Sequence, residues 1–383
     1  MIVKMLSALG KGRAMKVFVY AYNHITLHKA ITYAKTQWGF EDTFFMYTTS
    51  NAEPPKSLLI SKYNNIIIDL KKYNMHYHNS ILCYINDLVT NKLVIQKLVK
   101  YIHLQATNRK EEIRLVVFRD TLTTEALLIK TIKKEYNNVK IVLIEEGLAL
   151  YASYTTSKNT ISDYVKRIFH LIFRVPVISA KYIPHGCNPA TDMIICQHPQ
   201  ELIKLQRCKT TDIEQEIDVF SRENCDFFIS NVMMEEIDEK TYNYVFLTQP
   251  LFPNEKENEN EKYDAFIKAL FSILIQYGTI LIKPHPRDKW DYSKYVNDMV
   301  NLCDPKLSRC AYEIISGHYG NPRPITLYSS AACNGNAGKH PIFLYDFFPE
   351  LIKQDIFDND FIRENGIVRC KTYKELEEQL SFN

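Results

Sequence analysis

Glycine is scarce, with 11 in 383 residues against 25 tyrosines. Each glycine at a turn therefore needs its own reading. No G-x-x-x-x-G-K-S/T loop and no G-x-G-x-x-G turn occurs, which argues against a P-loop nucleotide hydrolase and a dinucleotide oxidoreductase. The nine cysteines form no C-x-x-C pair and join no histidine-rich metal spacing. They read as reduced thiols of a cytoplasmic protein, not as a disulfide or zinc framework. No apolar run reaches the length of about 18 residues that a membrane span needs. Residues 1–16 are basic and weakly apolar, without the apolar core and small-residue cleavage site of a secretory leader. A net charge of only +3 disfavours a nucleic-acid partner but leaves room for a local basic groove. What remains is an ordinary globular composition, 46% hydrophobic and 24% charged, at a length that suits two domains.

The apolar runs are short and alternate with helical stretches. Met15–Ala21, Thr43–Tyr47, Asn65–Leu70, Ile113–Phe118 and Val139–Ile144 read as buried strands. Helices are expected over 25–38, over 80–104 as one or two pieces, and from an Asp120-Thr121 cap to about residue 134. Around 221–240 the pattern turns polar and acidic, which places the domain switch there, with domains 1–235 and 236–383. The second half repeats the alternation. Strands are expected at Asn243–Leu247, Thr279–Ile282, Ile325–Tyr328 and Pro341–Tyr345. Helices are expected at 263–276, 291–302 and 372–380, and the charged stretch 254–262 reads as a mobile loop that could close over a site. The fold class is α/β, two Rossmann-like domains facing a central cleft.

In such sheets ligands sit past the carboxyl ends of the strands, so those ends are where chemistry is sought. Glu145-Glu146-Gly147 ends one strand. Adjacent strand residues point to opposite faces, so one Glu of the pair faces any given site. That carboxylate suits a general base; the plainer reading is a solvated pair capping a helix. Leu148–Tyr154 reads as an apolar, aromatic wall beside it. Lys283-Pro284-His285-Pro286-Arg287 follows another strand. The prolines lock the backbone and present His285 beside two cations. Ile325–Tyr328 runs into Ser329-Ser330 and small residues that would begin a helix, a hydroxyl and N–H site for phosphate or a simple Ser cap. Thr248-Gln249-Pro250-Leu251 is a further polar strand end. Asn23 and His24, after the first strand, read equally as substrate contacts or helix cap. The basic helix around 162–174, with Lys166, Arg167 and Arg174, reads as a solvated face or as a surface for an anionic substrate or lipid.

Glu145-Glu146-Gly147, Lys283-Pro284-His285-Pro286 and Ser329-Ser330 stand in the order of the acidic-acidic-Gly, His-Pro and Ser-Ser/Thr motifs of bacterial sialyltransferases. The chain most resembles the bacterial capsule polysialyltransferase family, with the lipooligosaccharide sialyltransferases as near alternative. The resemblance implies a GT-B fold, CMP-sialic acid as donor, inversion at the anomeric carbon, and neither metal nor cofactor. It implies Glu145 or Glu146 as base, His285 at the CMP phosphate, and Ser329 and Ser330 on the same phosphate. Gln249, Lys283, Pro284 and Pro286 become donor-site neighbours. A polysialic acid acceptor is a polyanion, for which Lys166, Arg167, Arg174, Lys71 and Lys72 are the candidate cations. The implied place is the cytoplasmic side of the bacterial inner membrane, in peripheral contact with lipid or capsule-assembly proteins. Single addition to a lipooligosaccharide, another envelope nucleotide-sugar transfer, and non-catalytic binding of anionic glycans are the rival readings.

Overall fold

The computed structural model describes residues 15–49, 53–70, 81–106, 111–147, 150–151, 161–176, 184–206, 208–210, 212–251, 257–333, 340–349 and 367–381. Lys71, Lys72, most of the stretch 148–154 and residues 254–256 lie outside them. The chain forms two compact units, Met1–Leu150 with Thr155–Ile217, and Tyr151–Tyr154 with Asp218–Asn383.

In the first unit the strands are β1 (Lys16–Ala21), β2 (Thr43–Thr49), β3 (Asn65–Asp69), β4 (Ile113–Val117), β5 (Val139–Ile144), β6 (Met193–Cys196) and β7 (Ile213–Gln215). They pair in the order β3-β2-β1-β4-β5-β6-β7, every pair parallel. Phe18, Val19, Leu115, Val116, Leu143 and Ile144 are fully buried, because a parallel sheet is covered on both faces. The second unit has β8 (Tyr244–Leu247), β9 (Ile280–Lys283), β10 (Val300–Leu302), β11 (Arg323–Thr326), β12 (Ile342–Phe343) and β13 (Val368–Arg369). Their order is β10-β9-β8-β11-β12-β13, again all parallel. Both sheets thus have the Rossmann order, with a switch point between β1 and β4 in one and between β8 and β11 in the other. Among the described residues no helix is long and apolar enough to cross a membrane.

The structure departs from the sequence expectation in several places. The stretch 291–302 is not a helix: a single 3-10 turn, Ser293–Tyr295, leads into edge strand β10. Asp291 and Asn297 accept hydrogen bonds from Ser293 N and Met299 N, and such local side-chain bonds replace helical ones. The helix placed at 263 starts at Glu257, inside the stretch read as loop. Asp120 does not cap the next helix, whose N-cap is Leu122. Its carboxylate instead accepts from Gly186 N, Asn188 N and the Thr191 hydroxyl, fastening the loop 184–191. The compact units divide at 217/218, ahead of 235/236. Phe228, Ile229, Val232 and Met233 are buried, while Arg222 reaches His318 Nδ1 at 3.1 Å. The polar residues up to Ser230 thus belong to a packed helical segment that ends at Met233, and the acidic residues 235–239 follow it in irregular chain.

One buried charge fixes the first unit beneath its strand ends. Lys29, on helix His24–Tyr33, is 1% exposed. Its Nζ donates to the Glu145 carbonyl at 2.6 Å and to both Glu216 carboxylate oxygens at 2.8 and 2.9 Å. Burial holds the Glu216 carboxyl above its ordinary value, with Lys29 opposing. Lys29→Met would strand Glu216 without its cation. We expect a loss of about 3–5 kcal/mol in denaturant unfolding. Adding Glu216→Leu should recover much of it, and equal stability of wild type and Lys29→Met would refute the role.

Candidate active site

Three strand ends of the first unit converge on Glu146. After β1, the Tyr22 hydroxyl donates to Glu146 Oε2 at 2.6 Å and Asn23 Nδ2 to Oε1 at 2.8 Å. After β4, Arg119 Nε and Nη2 reach Oε2 and Oε1 at 2.7 and 3.1 Å, a two-pronged grip. The Arg119 guanidinium also lies 4.3 Å from the Tyr22 ring centroid. Burial pushes the Glu146 carboxyl up, but the Arg119 charge and the bonds from Arg119, Tyr22 and Asn23 outweigh it and hold the group below its ordinary value. Glu146 is ionised at neutral pH and remains partly exposed. Glu125, buried in the first turn of helix Thr123–Glu135, is pushed to about 7 by burial, against the pull of Arg119.

Glu145 points the other way. It is 2% exposed, and its Oε2 accepts from Gln197 N at 2.7 Å. The two carboxylates therefore divide as strand alternation requires, one into the unit and one outward. A small cavity lies against this end of β5, lined by Phe118, Leu143, Glu145, Glu146, Gly147 and His185 among others. His185 is held by the Thr121 hydroxyl at 3.2 Å to Nδ1. Arg119, Tyr22 and His185 escaped the sequence reading. Arg119 follows a strand directly and was open to the same strand-end rule; His185 sits in a loop with no such marker.

Asn23 is the helix cap and also reaches the acidic pair. Its Oδ1 accepts from Thr26 N at 2.8 Å as a helix cap, and its amide nitrogen holds Glu146. His24 differs from the expectation: it is buried, with Nε2 3.2 Å from the Glu53 carbonyl, so it offers no open surface. Lys166, Arg167 and Arg174 belong to or follow a separate helix, Ile161–Ile172.

The second unit gathers its groups in the same way. After β9, His285 N donates to Thr248 Oγ1 at 2.9 Å, and the Thr248 hydroxyl bonds Asp288. The Tyr292 hydroxyl supports Asp288 at 2.9 Å, and Asp288 N closes the turn on the His285 carbonyl at 2.8 Å. His285 Nδ1 accepts from Arg287 N at 3.1 Å, which leaves Nε2 as the proton-bearing nitrogen of the neutral ring. Burial lowers the imidazole to about 4, and Arg287 and Lys283 add to the fall. Pro284 and Pro286 flank it, the latter exposed. Gln249 is buried beside Thr248. Lys283 is turned inward, its amine on the Ser308 and Pro284 carbonyls, where burial lowers it. It braces the loop and does not present a free charge. The helix expected after Ser329-Ser330 is only the 3-10 turn Ser330–Ala332, and Ser329 N is occupied by Thr326 Oγ1 at 3.0 Å. One backbone N–H at this strand end is thus taken up locally, and among the described residues no α-helix begins there.

The pH behaviour of His285 follows from this geometry. Its folded value lies below its unfolded one, so the fold loses stability as pH falls from about 6.5 toward 4. In a titration followed by NMR, the His285 ring should stay neutral until near pH 4, and His285→Gln should remove that part of the acid destabilisation. Titration near 6.5 would contradict the buried, cation-flanked setting.

The model of the Alpha-2,8-polysialyltransferase (POLYST) family matches residues 18–308, which include Glu145, Glu146 and His285 but not Ser329. No curated protein matches. The 2,6-sialyltransferase of Vibrionaceae Photobacterium sp. JT-ISH-224, solved with donor product CMP and acceptor lactose, aligns with a TM-score of 0.52 at 13% identity, over 96% of this chain and 77% of that one. TcCGT1 in complex with UDP aligns with a TM-score of 0.52 at 8% identity, over 96% of this chain and 90% of that one. At these identities the two structures speak for the fold, two Rossmann-like units of the GT-B class. With the family match spanning well over half of its length, the chain belongs to the alpha-2,8-polysialyltransferase family and is a glycosyltransferase.

Proposed function

We propose that the chain moves sialic acid from CMP-sialic acid to the non-reducing end of a sialylated glycan, elongating polysialic acid for a capsule. The observation that carries the mechanism is the division of the acidic pair. Glu146 is ionised, partly exposed and held by four hydrogen bonds, whereas Glu145 is locked inside. Glu146 is then the base. It takes the proton of the acceptor hydroxyl as that oxygen attacks the anomeric carbon; the bond from that carbon to the CMP phosphate breaks, and the centre inverts. Orientation matters more than basicity here, because the hydroxyl becomes acidic as the new bond forms. The leaving phosphate takes up negative charge, and the Nε2–H of His285, with the Ser329 hydroxyl, is suited to meet it. Gln249, Pro284, Pro286 and Ser330 shape this donor side, and the reading asks for no metal. CMP in the Photobacterium complex agrees with such a donor. Asn23 orients the base from the acceptor side. Lys166, Arg167 and Arg174 supply charge for an anionic partner, acceptor glycan or lipid, and the chain works in peripheral contact with the inner face of the bacterial inner membrane.

The first test is CMP release from CMP-sialic acid by purified protein, with and without oligosialic acid. Stepwise lengthening of the acceptor is the expected result. A single addition to a galactose-ended acceptor would mark a lipooligosaccharide enzyme. Absence of both CMP release and CMP binding would end the sialyl-donor reading in favour of another nucleotide sugar.

Variants sharpen it. Glu146→Gln should lower kcat on the order of 10²–10⁴-fold with the melting temperature kept. Glu145→Gln should act mainly on stability, and the reverse pattern would move the base to Glu145. His285→Ala should lower kcat on the order of 10²-fold, the scale of one lost donor to a developing charge. Near-normal turnover would remove His285 from the chemistry.

A further inference from the structure

The helix Ile161–Ile172 wears its apolar side outward. Tyr164, Ile168, Leu171 and Ile172 are 55%, 56%, 67% and 65% exposed, while His170 is buried. At 100° per residue those four fall on one face, and His170 on another. His170 is fixed there by the Tyr84 hydroxyl on Nε2 and the Pro176 carbonyl 2.9 Å from Nδ1. A surface helix normally hides such residues, so this face lacks an apolar partner within the described chain.

Cations border it. Arg167 lies on one flank, and Arg174 is exposed at the helix end, where Lys130 reaches its carbonyl at 2.9 Å. Lys92 sits 5.7 Å from the Phe173 ring. Lys92 belongs to helix Ile81–Gln105, which itself exposes Val89 and Leu93. Apolar side chains edged by Lys and Arg match one kind of surface, an interface of acyl chains below anionic headgroups. A glycan polyanion would use the cations but gain nothing from Ile168, Leu171 and Ile172.

We propose that this face docks the protein on an anionic bilayer, with the helix lying in the headgroup plane. It deepens the peripheral placement given above and is independent of the donor chemistry. The experiment is co-sedimentation of the full chain with vesicles of phosphatidylcholine alone and of phosphatidylcholine with phosphatidylglycerol. Wild type should bind the anionic vesicles and be released by salt. Ile168→Ser with Leu171→Ser should lower partitioning at least tenfold, on the order set by the apolar area withdrawn. CMP release with a short soluble acceptor should not change in that variant. Arg174→Gln should weaken vesicle binding about fivefold, the worth of one cation near the surface. If circular dichroism shows the double variant unfolded, Leu171→Ser alone takes its place. Wild type that ignores anionic vesicles, or vesicle binding untouched by the serines, overturns the proposal. A dimer in sedimentation equilibrium that the serines dissolve would give the face to a second copy. Oligosialic acid binding that Arg174→Gln weakens and the serines do not, without vesicle binding, would give it to glycan. Loss of all CMP release in wild type would end the sialyl-donor reading and leave the vesicle result standing.

Discussion

A single ammonium group ties the first unit together where its chemistry begins. Lys29 joins a helix, the Glu145 carbonyl just past β5 and the Glu216 carboxylate on a later segment. A charge this deep is tolerable only with a close counter-charge and its N–H groups satisfied. The three segments are therefore confined to one mutual arrangement. That arrangement sets the direction in which the next residue, Glu146, leaves the sheet. Tyr33, one turn further along the same helix, receives Ile217 N on its hydroxyl at 3.4 Å and extends the same junction.

From there the motif's two acidic residues part ways. Glu145 is structural by position: its backbone is on Lys29 and its carboxylate on Gln197 N. Glu146 is held from above by groups at two neighbouring strand ends. Its low proton affinity is the result of charge and hydrogen bonding overcoming burial. His285 shows the opposite balance, with burial and two like charges keeping its ring neutral. Each group is thus poised in the form that a proton acceptor and a neutral donor require.

Much of this was legible in the sequence, and the pattern of what was not is physical. Continuous apolar runs marked β1, β4, β5, β8 and β9, because strands buried on both faces leave no room for polar residues. Their ends then pointed to the Glu145-Glu146 pair, without choosing between the two, and to His285. The grip on Glu146 was hidden, since Asn23 lies 123 positions away and Arg119 lies 27 away. Only sheet order brings them together, and sheet order has no local signature. The stretch 291–302 misled because Tyr292, Tyr295 and Val300 are buried at a spacing that also suits a helix, while Asp291 and Asn297 turn the chain. Lys283 misled because a lysine beside a strand end reads as exposed charge until its amine is found on Ser308 O.

The repeated strand order has a consequence for how such a chain can change over time. The hydrogen bonds around Glu146 close within one sheet's strand ends, and those around His285 close within the other's. Neither set borrows a described side chain from the other for its shape. Within each unit the geometry is set by that unit's own loops, those after β1, β4 and β5 for Glu146 and those after β8 and β9 for His285. The two halves are modular in the evolutionary sense: new specificity can be acquired on one side while the other is inherited intact.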